Sequence, residues 1–469
     1  MRPLPAWTWN RRTKMVGSLL GALVVGAGLS AAAAAPAADR PNVVLILTDD
    51  QGTLDANCYG STDLHTPSID RLAATGVRFT QAYAHTVCCP ARAALLTGRH
   101  PQRGGVNHWT QGNMKGGKGI NMALEEVTLA EALRPAGYRT ALFGKWHLGA
   151  HRDYGPKKQG FDEFFGIRDG FIDNYNHYFL HGSGYHDLYE GTKEVQAKGQ
   201  YFPEMMVQRS LRFIEQNRDR PFFLYVAFNI PHYPEQALKE HEKLYANLAA
   251  PRGPYASVVT TTDHYIGQVV GKLEEFKLRD RTIVIFMSDN GHSMETGNRI
   301  RVDNHASGYR KGHFYGAHGG GNAGKWRGHK GNFLEGGVRV PAIISYPGKL
   351  PGGEVRDQAI TAMDWFPTVL ELCGVDPPKT PRDGRSLLPV IRSASAPTPH
   401  PVLYFQWHRQ WAVREGDWKL IGHADRTKAS LHNLAEQEPE KTNHAQTHPQ
   451  VAARLRQLYQ AWAKDVFAR

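Results

Sequence analysis

Two polar pairs stand at matching places in the chain, each directly after an apolar run. Asp49-Asp50 follows residues 41–48, and Asp289-Asn290 follows residues 282–287. Carboxylates plus an amide suit Ca2+ or Mg2+ better than Zn2+ or Cu2+. Acidic residues after strands also cap helices. Two pairs in equivalent positions point instead to one cation, able to neutralise an anionic oxygen and support a nucleophile. Gly144-Lys145-Trp146-His147-Leu148-Gly149 adds a lysine and a histidine, which project to one side if that turn stays extended. Pro231-His232-Tyr233-Pro234 offers a second histidine, and Gly328-His329-Lys330-Gly331 a second lysine. Lysine binds anionic oxygens, and histidine moves protons near neutral pH. Cys88-Cys89-Pro90-Ala91-Arg92 precedes Thr97-Gly98-Arg99. Pro90 suits a first helical position. Residues 91–96 then open a helix whose positive end faces an anion, with Arg92 adding a fixed charge. Taken alone, the same residues also fit a buried cysteine pair beside an ordinary helix start.

These groups need a scaffold. Residues 41–48, 138–143, 221–228, 282–287 and 340–346 are apolar runs of the kind buried on both faces of a parallel sheet. Helical patterns at 68–75, 128–136, 205–218, 257–276 and 365–372 alternate with them, so the class is α/β in layers. The polar pairs then lie at carboxyl ends of strands, where open α/β sheets bind ligands. Residues 291–337 are Gly- and His-rich and read as a long active-site loop. The Pro- and Ser-rich stretch 377–400 connects to a C-terminal part with short antiparallel strands at 402–405, 410–414 and 418–421 and a closing helix at 451–467.

A chain of 469 residues carrying +12 can bury a large core and favours anionic partners. No basic block, zinc-finger spacing or aromatic RNA-binding signature supports nucleic acid. Arg11, Arg12 and Lys14, the apolar run 15–29 and the small residues 31–38 read as a cleavable export signal. The mature chain is expected to begin near residues 35–40, in the periplasm or outside the cell, with no stable membrane span. Of four cysteines, Cys58 and Cys373 are expected as buried thiols, with one bridge between them left open.

The spacing Cys88-x-Pro90-x-Arg92 resembles the signature of type I, formylglycine-dependent sulfatases of the arylsulfatase kind. Asp49-Asp50-Gln51-Gly52, Gly144 to Gly149, Pro231-His232, Ser288-Asp289-Asn290-Gly291-His292 and Lys330 with Glu335-Gly336-Gly337 resemble further segments of that family, in its order, over residues 40–375. In the tail, Gly416-Asp417-Trp418-Lys419-Leu420-Ile421 and Leu431-His432-Asn433-Leu434 with Glu438-Pro439-Glu440 do so too. Ala91 departs from the serine more usual there.

The resemblance implies an alkaline-phosphatase-like fold, with a mixed, largely parallel sheet between helices and a smaller C-terminal antiparallel-sheet α+β subdomain. The expected organisation is a signal at 1–38, a catalytic domain at 39–376, a connector at 377–400 and the subdomain at 401–469. A maturation enzyme would convert Cys88 to formylglycine. One hydroxyl of the hydrate attacks sulfur, and the other then drives expulsion of sulfate. Asp49, Asp50, Asp289, Asn290 and modified Cys88 would hold Ca2+, ahead of Mg2+. Arg92 and His147 would orient and activate formylglycine, and Lys145 and Lys330 would bind sulfate oxygens. His232 would sit near the bridging oxygen, and it or Lys330 would protonate the leaving alcohol. The segment around Asp173 and His177 is the candidate substrate pocket, its aromatic residues able to cradle a sugar or equally to pack a structural loop. His305, His313 and His318 are candidates for its rim. The implied activity is sulfate ester hydrolysis on an anionic, carbohydrate-like substrate. The alternatives are a phosphomonoester or phosphonate hydrolase on the same scaffold, or a silent glycan-binding homologue if Cys88 stays unoxidised.

Overall fold

A computed structural model describes residues 40–110, 119–295, 305–308, 319–424 and 426–468. The expected export segment and His313 and His318 lie outside the described residues.

The centre is β1 (Asn42–Thr48), every residue of which is buried. It pairs in parallel with β5 (Phe222–Ala227) on one side and β6 (Thr282–Ser288) on the other. Beyond β5 lie β3 (Arg139–Lys145) and β4 (Glu163–Ile167), also parallel. Beyond β6 lie β7 (Arg339–Ser345) and β2 (Val77–Tyr83). Successive residues of β1 point to opposite faces: Val43, Leu45 and Leu47 join one core, Val44 and Ile46 the other. Helices cover both. Leu95 and Leu96 of α2 (Cys88–Thr97) and Trp365 and Phe366 of α5 (Trp365–Leu372) pack on the first face. Met206 and Phe213 of α3 (Phe202–Gln216) and Ile266 and Val269 of α4 (Arg252–Glu275) pack on the second. Because both faces are covered, the strands read as unbroken apolar runs. Pro67–Ala74 forms α1.

The apolar run at 340–346 forms a strand, but β7 runs antiparallel to β6. The short helix Glu335–Val338 leads directly into β7. At the C-terminus, β8 (Val402–Trp407), β9 (Gln410–Glu415), β10 (Trp418–His423) and β11 (Arg426–Asn433) form an antiparallel sheet. The helix α6 (Pro449–Val466) packs on it, with Tyr459 stacked 4.2 Å from Trp411. The first three strands were legible. β11 was not, because Arg-Thr-Lys-Ala-Ser shows no alternation of apolar and polar residues. All four cysteines are free thiols. No helix among the described residues is long and apolar enough to cross a membrane.

Candidate active site

The parallel register sets the site. Thr48 of β1 stands level with Ser288 of β6, so the residues that follow emerge side by side. The Asp289 amide donates to the Thr48 carbonyl (3.1 Å), and the Gln51 amide donates to Ser288 Oγ (3.0 Å). Asp50 has φ 64, a left-handed turn that non-glycine residues rarely adopt. Cys88 opens α2 directly above, buried, its Sγ 3.5 Å from Asp49 Oδ1. One ligand atom each from Asp49, Asp50, Cys88 and Asp289 lies within 4.8 Å of the others. Asn290 donates its amide to Asp50 Oδ1 (2.6 Å), while its own Oδ1 is buried without a hydrogen-bond partner. An orphaned oxygen beside clustered carboxylates fits a hard cation.

Basic groups face this cluster. Arg92 donates to Asp289 Oδ2 from Nε (3.0 Å) and Nη2 (2.8 Å), and from Nη1 to the Lys145 carbonyl (2.9 Å). Its guanidinium lies beneath the site and positions those two residues. Lys145, the last residue of β3, donates to Asp49. Lys330 donates to Asp50 Oδ2 at 3.0 Å and to Glu295 Oε2 at 2.9 Å. Burial, then the Asp289 carboxylate, pushes Asp49 up to about 7 against the pull of Lys145 and Arg92. Burial raises Asp50 against Lys330. Burial, then Asp49, pushes the Cys88 thiol well above its ordinary range, so the unconverted side chain is a protonated thiol rather than a thiolate nucleophile.

Cys88, Lys145, His147, His232 and Lys330 line one cavity of 120 Å³. The turn after β3 is not extended, since His147 has φ 53, yet Lys145 and His147 both reach the cavity. Neither ring nitrogen of His147 has a hydrogen-bond partner. The ring is stacked on Trp109 at 6.0 Å, and its backbone carbonyl accepts from Thr110 Oγ1 at 2.6 Å. Burial, reinforced by Lys145 and Arg92, holds it well below the usual imidazole range. His232 is likewise lowered by burial and by Lys330. Its Nδ1 faces the Tyr233 carbonyl (2.6 Å), Phe171 stacks on it (4.8 Å), and Nε2 is 3.5 Å from Asp50 Oδ2. Both imidazoles are thus held neutral and able to accept a proton.

Asp173 and His177 do not line this cavity. Asp173 Oδ1 accepts from the amides of Tyr175 (3.1 Å) and Asn176 (2.6 Å), and Oδ2 accepts from Gln236 (2.6 Å). His177 sits at φ 63 with Nε2 at 3.0 Å from the Gln200 carbonyl. Their polar groups are taken up by nearby amides and by Gln236 and Gln200, away from the cavity. His305 contacts Ser307 and the Phe179 carbonyl, outside the cavity lining. From the same loop, Gly170, Phe171, Phe179 and His181 face the cavity instead. Trp109 and Glu295 complete it and were not anticipated. A carboxylate five residues beyond Asn290, at the same strand end, was the one signal for Glu295.

Residues 41–375 match the family model described as Sulfatase, and residues 325–465 match one described as N-sulphoglucosamine sulphohydrolase, C-terminal. N-acetylgalactosamine-6-sulfatase of Canis lupus familiaris is 34% identical over 420 residues, covering 85% of this chain and 74% of that protein. Arylsulfatase A of Homo sapiens is 33% identical over 420 residues, covering 83% and 76%. Among solved structures, Ps i-CgsB in complex with k-i-k-neocarrahexaose has a TM-score of 0.77 at 27% identity, covering 90% of this chain and 92% of that one. Three carboxylates, a thiol at a helix start and two lysines around one cavity agree with these matches: the chain belongs to the sulfatase family and is a sulfuric ester hydrolase.

Proposed function

We propose that the enzyme removes sulfate from a sulfated carbohydrate, using Cys88 converted to formylglycine by a maturation enzyme. One observation carries this: Cys88, three carboxylates and the cavity's Lys145, Lys330, His147 and His232 converge on a single point. Asp49, Asp50, Asp289, Asn290 and residue 88 would hold a divalent cation, Ca2+ ahead of Mg2+, because every donor from the first four is an oxygen. Bound there, the cation supplies positive charge to a sulfate oxygen. Formylglycine hydrate supplies two hydroxyls, one to displace the alcohol at sulfur and one to expel sulfate. Lys145 and Lys330 offer ammonium groups to sulfate oxygens at the cavity wall. Neutral His147 can take the proton of the attacking hydroxyl, and Arg92 fixes Asp289 and Lys145 beneath it. Lys330, a cation, or His232 once it has taken up a proton, returns one to the leaving alcohol.

The carbohydrate assignment draws support from the relatives' names, which include an N-acetylgalactosamine-6-sulfatase, and from a structural neighbour holding a neocarrahexaose. The N-terminal basic, apolar and small-residue pattern supports export to the periplasm or beyond, with a catalytic domain at 39–376, a connector at 377–400 and a subdomain at 401–469. Mass spectrometry of the Cys88 peptide from a host with the maturation enzyme should show an aldehyde or its hydrate. Parallel assays with an aryl sulfate and an aryl phosphate should favour sulfate. An unmodified thiol in active enzyme, or a large preference for phosphate, would overturn the mechanism.

A further inference from the structure

A second cavity of 580 Å³ is lined by His108, Gly331, Trp407, His408, Arg409 and Gln410 at the β8–β9 hairpin and by His423 of β10. It adjoins the catalytic one. Two pairs of consecutive residues divide between them: Trp109 and Lys330 line the catalytic cavity, while His108 and Gly331 line the second. The wall between is aromatic, with Trp109 edge-on to Trp407 at 5.3 Å and stacked on His147 at 6.0 Å. The hairpin is fixed to the catalytic loop. The His408 amide donates to the Asn107 carbonyl (3.2 Å), and the His108 and His408 rings meet edge to face at 4.2 Å. His108, His408 and Gln410 are nevertheless exposed, and a Cβ added at Gly331 would meet nothing within 4 Å. The groove is therefore open, with an indole floor and imidazole, guanidinium and amide groups along its sides.

The catalytic cavity, at 120 Å³, adjoins the groove at Trp109 and Lys330. A substrate that extends past Trp109 from the catalytic cavity enters the groove. Resting on the sulfated-carbohydrate assignment above, we infer that this groove binds the sugar unit next to the one that carries the scissile sulfate, making the enzyme selective for oligosaccharides. Aromatic faces pack against the apolar face of a sugar ring, while imidazole and amide groups bond its hydroxyls.

The test compares a small aryl sulfate with tetrasaccharides from heparin, chondroitin sulfate and carrageenan. Wild-type enzyme is expected to turn over at least one tetrasaccharide with higher kcat/KM than the aryl sulfate. In the double variant His108→Ala, His408→Asn, kcat/KM for that tetrasaccharide should fall about tenfold. Its kcat/KM for the aryl sulfate should not change. Asn at 408 tolerates the left-handed φ of 52 there, so the hairpin should keep its shape. An equal loss on both substrates, no loss on the tetrasaccharide, or no tetrasaccharide preferred by wild-type enzyme would each overturn the inference. Absent turnover of the aryl sulfate by wild-type enzyme would instead refute the sulfatase mechanism itself.

Discussion

At Glu295 the site holds a negative charge in the path of an anionic substrate. Its Oε2 is 2.9 Å from Lys330 Nζ and 3.6 Å from His232 Nε2, so it occupies a place a sulfate oxygen would use. Burial disfavours this carboxylate, yet Lys330 holds it below its ordinary range. Glu295→Gln keeps the shape and removes the competing charge. Its KM for an aryl sulfate should drop severalfold, with kcat changed less; an unchanged or higher KM would show that Glu295 helps binding. The three buried carboxylates and the orphaned Asn290 oxygen bear on stability as well. A ligand that binds only the folded state raises the melting temperature. Adding EGTA should therefore lower Tm by several degrees, and excess Ca2+ should restore it. A melting curve indifferent to both would argue against a tightly held cation.

Among the elements, β3 depends on a residue without a side chain. Gly144 has φ 123, and a Cβ built on it would lie 1.9 Å from the Ala227 carbonyl oxygen of β5. Gly144→Ala must push β3 away from β5 and carry Lys145 with it. Loss of aryl sulfate turnover is expected, together with a lower Tm; normal activity would mean that the strands can part without moving Lys145. The helices α1 and α4 are joined by Asp263, which accepts from the amides of Ser68 (3.0 Å) and Ile69 (2.8 Å). Burial raises Asp263 to about 6, against those hydrogen bonds. A raised folded value means that its contribution is full below the unfolded value near 3.8 and is lost as pH climbs through about 6. Urea unfolding of wild type and Asp263→Asn should show the wild-type advantage shrinking from pH 4 to pH 6.5. A constant difference over that range would place the titration elsewhere.

Across the whole molecule, a buried ionic knot joins the two sheets. Lys419 of β10 is fully buried, 2.8 Å from Glu335 Oε1 and 3.1 Å from Glu440 Oε1. Glu335 also receives Tyr83 Oη of β2 at 2.6 Å and Arg339 of β7 at 3.2 Å. Removing one partner from such a knot leaves buried charge uncompensated, at a cost of roughly 3–5 kcal/mol. Lys419→Met should lower the urea midpoint accordingly, while the refolded fraction keeps the wild-type kcat on aryl sulfate. A cost under about 1 kcal/mol would mean that apolar packing alone docks the C-terminal sheet. The same docking brings the β8–β9 hairpin beside the catalytic cavity, where Trp407 meets Trp109.

The amino-acid sequence alone determined the buried strands and the places where their carboxyl ends would gather acids and bases. Both features are local. A strand covered on two faces must be apolar throughout, and parallel strands present their ends on one edge. Asp49, Asp289, Lys145 and His232 were legible for that reason, and Cys88 and Arg92 from the resemblance of their spacing to the sulfatase signature. Tertiary structure alone decided which side of the 169–181 loop meets the cavity, that β7 reverses direction, that Glu295 stands between Lys330 and His232, and that a distant hairpin flanks the site. In irregular segments no period governs where a side chain points. Its direction follows from individual turns and from bonds to remote partners, as Asp173 is drawn to Gln236 and His177 to the carbonyl of Gln200.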